Sequence, residues 1–173
     1  MKGLNGDHER LTQEAAVRLA ELERPDRPPT ADGLAEPNLE QADPRLWRQL
    51  FLSARTPRVQ LTLLQQFGFN DRELLWALPG LSGRTLRRWR SSGDSTEPPA
   101  ARREQIDDVR AIVGLLLSDG SFDNQVIVAW LTARQEDLEL MRPLEAIGEG
   151  RFREVLRAAE RFISPARPID AKG

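Results

Sequence analysis

Helix start and stop signals recur every ten to fifteen residues between positions 43 and 93, and no stretch of the chain alternates as a strand would. Asp43-Pro44 and Thr56-Pro57 each pair a capping side chain with proline at the first helical position, where the missing N–H costs nothing. Behind the first lie the i,i+4 pairs Leu46/Leu50 and Trp47/Phe51; behind the second, Val59, Leu63, Leu64 and Phe67 lead to a stop at Gly68. Asn70 caps a short helix through Leu78 that Pro79-Gly80 ends, and Ser82 caps another running to about Arg90, closed by Ser91-Ser92-Gly93. Such punctuation predicts an all-α fold of short helices.

The flanks fit this reading. Leu11, Ala15, Leu19 and Leu22 mark an amphipathic helix over 8–23, and four prolines with Gly33 make 25–42 a flexible linker. A long helix over 101–118 carries Ile106, Val109, Ile112, Val113 and Leu116 on one face and ends at Asp119-Gly120. The β-branched run Val126-Ile127-Val128 also suits a buried strand, but Ser121 can cap a helix there and no second strand exists to pair with it. Phe152, Val155, Leu156, Ala159, Phe162 and Ile163 keep the 3.6-residue period over 151–163, and Ser164-Pro165 stops it. The predicted organisation is a flexible N-terminal extension with an amphipathic helix (1–42), two helical subdomains (43–99 and 100–164) and a tail (165–173).

Several kinds of chemistry are excluded by residue type. The chain has no cysteine and one histidine, His8, so thiolate or imidazole metal sites and thiol nucleophiles have no basis; no metal and no cofactor are expected. Acidic pairs such as Asp107/Asp108 and Glu136/Asp137 sit on helices and read as solvated faces. Gly148-Glu149-Gly150 lacks the preceding strand of a phosphate-binding loop, and no nucleophile has a base partner, so an enzyme is not expected. The four tryptophans all fall on apolar faces, which favours core packing over base stacking. The longest apolar runs, 111–117 and 126–131, are too short to span a bilayer, and the N-terminus has no signal-peptide core; a cytoplasmic location is expected.

Charge is segregated along the chain. Residues 46–103 carry 10 basic and 4 acidic side chains, whereas 1–45 carry 6 and 10 and 104–173 carry 9 and 13. Within the basic middle, residues 73–90 read as a helix-turn-helix: Gly80 supplies a permissive turn, Leu81 plugs the space between helices, and Leu86 and Trp89 face the core. Ser82, Arg84, Thr85, Arg87 and Arg88 are then candidates to face double-stranded DNA, since arginine reaches phosphates and reads guanine with two hydrogen bonds. One position departs from the usual pattern: four residues before Gly80, where a small residue is expected, stands Trp76, and Ala77 comes one place late.

Ala129-Trp130-Leu131, then Arg142-Pro143-Leu144, Ile147, Gly150, Phe152, Val155 and Leu156, resemble the toxin-binding domain of Xre/MbcA/ParS-type antitoxins. Thr85-Leu86-Arg87-Arg88-Trp89, followed by a polar loop and a long helix, resembles the upstream half of the same proteins, so the likeness covers about 57–163. The resemblance implies an antitoxin that covers the active site of a RES-domain, NAD⁺-consuming toxin and represses its own promoter. It places the toxin surface within 130–164, with Arg142, Arg153, Arg157 and Arg161 as candidate contacts. A homodimer, or a larger hetero-oligomer with toxin, is the expected assembly. The alternative is a solitary helix-turn-helix regulator without a toxin.

Overall fold

The capping side chains perform as their positions require. In the computed structural model, which describes residues 4–23, 42–91 and 96–164, Asp43 accepts from the Arg45 N–H (2.8 Å) and starts helix α2, Pro44–Ser53. Thr56 caps α3 (Pro57–Phe67), and Asn70 and Glu73 cap α4 (Asp71–Ala77) reciprocally, each side chain accepting from the other's backbone at 2.9 Å. Ser82 opens α5 (Gly83–Arg90). Farther along are α6 (Ala100–Leu116), α7 (Asn124–Thr132), a 3₁₀ turn (Glu136–Leu138), α8 (Pro143–Gly148) and α9 (Phe152–Ile163). The fold is all-α, and among the described residues the one extended pairing is an isolated antiparallel bridge between Gln135 and Met141. No helix among them is long and apolar enough to cross a membrane.

The β-branched run at 126–128 is helical, as read, but Asp123 rather than Ser121 caps it, accepting from the Val126 N–H at 2.9 Å. Ser121 instead donates its own N–H to Asp119.

The amphipathic helix expected over 8–23 is present. Residues Leu4–Glu23 form helix α1, which packs on α2, with Leu11, Ala15 and Leu19 buried. The Arg58 guanidinium holds its end by donating to the Leu22 carbonyl (2.7 Å). The physical reason is that the apolar stripe has a complementary surface on α2, so docking returns transfer free energy of about 1.5–3 kcal/mol per buried leucine. The linker expected at 25–42, except Ala42, and the tail expected at 165–173 lie outside the described residues.

Helix α6 packs against α2, α3, α4, α8 and α9, and α4 also packs against α8. Trp47, Phe51, Phe67 and Phe69 form an aromatic cluster with centroids 5.1–6.1 Å apart, and Phe122, Trp130 and Phe162 form a second one. One continuous apolar core joins the two, so the boundary expected at 99/100 separates two lengths of sequence but not two cores. Polar ties run through the same seam: buried Gln60 donates to the Ala54 carbonyl and to Asp107, and Arg110 donates to the Phe51 carbonyl at 2.9 Å. Asp107 is therefore more than a solvated acid; it satisfies a buried amide.

Candidate functional site

Helix α5 divides its side chains sharply. Leu86 and Trp89 are buried while Arg84, Arg87 and Arg88 are exposed, and no acidic residue lies on the helix. Ser82 accepts from the Thr85 N–H at 3.2 Å, and the two hydroxyls are 3.2 Å apart, so both serve the helix start. Arg90, at the helix end, is nearly buried and pairs with Asp71 at the start of α4 (2.6 Å); Arg87 reaches the same carboxylate at 3.7 Å. Asp71 thus sets the angle between α4 and α5 while neutralising the inward edge of the arginine row. The turn between the helices, 78–82, contains Gly80 at φ +81°, a backbone state that an L side chain resists. Leu81 above it is half-buried against the core.

The misfit at Trp76 is resolved by what lies beside α4. Ala77 is buried, whereas the Trp76 ring turns toward α8, where the Arg142 guanidinium stands 4.4 Å from its centroid. Arg142 also pairs with Glu145 at 2.7 Å, and Glu145 accepts from the Arg142 backbone N–H. Arg142, read from the sequence as a toxin contact, is therefore half-buried and held internally. Gly148 closes the same joint: a Cβ there would lie 2.5 Å from the Trp76 carbonyl oxygen and 3.0 Å from Pro79 Cδ. Gln105 donates to the Gly148 carbonyl and Arg102 to the Pro79 carbonyl (2.8 Å), so α6 pins both sides.

The other candidate toxin contacts lie on α9. Arg153 and Arg157 are exposed, and Arg161 is exposed and paired with Asp137 at 2.9 Å. Arg151 at the helix start bonds Glu154 and Glu139, and that contact holds the Glu154 carboxyl below the usual carboxylate range. The two inter-element pairs fasten α9 to the loop 134–141. In that loop Glu139 (φ 56°) and Leu140 (φ 64°) both take the left-handed conformation, although neither is glycine.

Residues 109–162, from the second half of α6 through α9, match the family described as the Rv2175c C-terminal domain of unknown function. Over 103 residues, 60% of this chain and 84% of the relative, the chain is 32% identical to a probable mycobacterial cidal antitoxin, Rv3188, of Mycobacterium tuberculosis (strain ATCC 25618 / H37Rv). The chain belongs to this antitoxin family. No solved structure matches it.

In this antitoxin the residues that sequence reasoning placed in α5 come together on one face, while those placed in the C-terminal third divide. Arg153, Arg157 and Arg161 share a helix face at i,i+4 spacing, and Arg142 lies elsewhere, against Trp76. Sequence reading missed the joint. Its one visible signal was the glycine pair around Glu149, of which Gly148 marks a close backbone approach rather than a loop.

Proposed function

We propose that this antitoxin binds and occludes a RES-domain toxin that degrades NAD⁺, acting by occlusion and not by chemistry, and that it represses its own promoter. The operator, double-stranded DNA, meets the helix-turn-helix formed by α4 and α5, with Ser82, Arg84, Thr85, Arg87 and Arg88 toward it. Arg153, Arg157 and Arg161 on α9 face the toxin, and the working assembly is a homodimer or a larger hetero-oligomer with toxin. The observation that carries the DNA reading is the division of α5 into a buried Leu86/Trp89 side and an exposed arginine side. For the toxin reading, support comes from the antitoxin relative and the family resemblance of the last third.

Two experiments test these halves separately. Gel-shift titrations on upstream DNA at two salt concentrations should show Arg88→Ala weakening binding by about 1–3 kcal/mol if the side chain reads a base, less if it touches phosphate. Affinity should also fall steeply with salt, because each neutralised phosphate releases counterions. Unchanged affinity in the Arg84→Ala/Arg88→Ala double variant removes α5 from the account. Co-expression with the neighbouring gene product, pull-down and an NAD⁺-consumption assay test the toxin half. A protein that neither binds nor restrains that product is better described as a solitary regulator.

A further inference from the structure

Arg87 belongs to the exposed arginine side of α5, yet its guanidinium lies along the helix rather than away from it. Its Nη1 is 3.7 Å from Asp71 Oδ2 and 3.5 Å from the point where a Cβ on Gly83 would stand. The side chain thus folds back over the first turn of α5, the direction in which helical side chains lean, and ends at a carboxylate on α4. Asp71 holds a second arginine more firmly. Its Oδ1 is 2.6 Å from Arg90 Nη2, and the Arg90 side chain is 11% exposed, so that pair is fixed in the joint between the helices. The Arg87 side chain is 66% exposed, so water screens its pair and its release costs little.

These two pairs bear on DNA differently. Phosphate attraction gives an arginine affinity for any duplex, and α5 carries Arg84, Arg87, Arg88 and Arg90 with no acid of its own. A carboxylate that already meets Arg87 lowers that indiscriminate affinity, because a phosphate gains only what exceeds the existing pair. The pose of α5 matters in the other case: base edges are read only by side chains brought to fixed positions, and the Arg90 pair holds that pose. We propose that Asp71 is a specificity-determining residue of the operator surface, positioning α5 through Arg90 and restraining its charge through Arg87. The inference rests on the reading of α4 and α5 as a DNA-binding helix-turn-helix, and it adds the residue by which that surface discriminates against the wrong duplex.

The test uses the full-length protein with two fluorescent duplexes of equal length, one from the DNA upstream of its coding sequence and one of scrambled sequence, titrated at several salt concentrations. Asp71→Asn should bind the scrambled duplex about two- to fivefold more tightly, the worth of a surface pair. Its salt dependence there should steepen by up to about 0.9, one further phosphate contact. Preference for the upstream duplex should fall about tenfold or more, since base readout needs the pose. Asp71→Glu, which keeps the carboxylate, should return scrambled-duplex binding toward wild type. In Asp71→Asn/Arg87→Ala the tightening should vanish while the loss of preference remains. A carboxylate with a structural role alone would lower Tm and weaken both duplexes, so weaker or unchanged scrambled-duplex binding by Asp71→Asn overturns the proposal. Tightening that survives Arg87→Ala, or an unchanged preference, overturns it too. A further check does not depend on how Asp71→Asn folds: Arg87→Ala should weaken scrambled-duplex binding less than Arg84→Ala, whose residue takes no part in the Asp71 pairs. Equal losses count against the restraint. All these failures leave the operator reading standing, whereas wild-type protein without preference for the upstream duplex overturns both.

Discussion

A methyl group on Gly148 would meet backbone, not a movable side chain: the Trp76 carbonyl oxygen at 2.5 Å and the Ala77 carbonyl carbon at 3.3 Å. Alanine favours the helix over glycine by at most about 1 kcal/mol, so the clash wins. We expect Gly148→Ala to lower stability by about 1–3 kcal/mol in urea titrations, because α8 has to back away from α4. Asp108 behaves in the opposite sense with pH. Burial, then the nearby Glu104 and Asp107, push its carboxyl up to about 6 from 3.8. The folded state then holds the proton more tightly than the unfolded chain, so this group favours folding most at acid pH, and its contribution is lost as pH rises through about 6. Asp108→Asn should therefore gain stability over wild type between pH 4 and pH 7, measured by denaturant midpoints at both. A constant difference across that range would show that Asp108 titrates normally.

Among the helices, α1 makes the sharpest test of packing. Its buried Leu11, Ala15 and Leu19 cover α2, so removal of residues 1–23 should lower Tm by about 5–10 °C. Unchanged melting would mean that α1 stands off the core. The comparison also shows what a sequence can display. Asp43, Thr56, Asn70 and Ser82 each cap the helix they were read to cap, because capping is a local event settled within four residues. The arginine face of α5 was legible for the same reason: Leu86 and Trp89 fix its inner side. Whether the stripe on α1 meets a partner depends on α2, more than twenty residues away, and period alone carries no such information. Leu140 left no local trace either, since left-handed backbone is ordinarily signalled by glycine or asparagine. The stacking of Arg142 on Trp76 was not legible, because Trp76 lies sixty-six positions earlier in the chain.

At the scale of the whole molecule, the continuous core implies one cooperative unfolding event, with helical and tryptophan signals changing together in a thermal melt. Two separate transitions would contradict the shared seam at α6. That seam also bears on how such proteins can diversify. A lineage that gained a new partner by recombining its 3′ half would inherit an Arg142 without its tryptophan, or a bulkier residue facing a Trp76 carbonyl that leaves no space. Exchange of residues 100–164 between relatives should thus give soluble chimeras only when positions 76, 142 and 148 travel as a set. The two halves of this chain, joined through one core, are on that account inherited together.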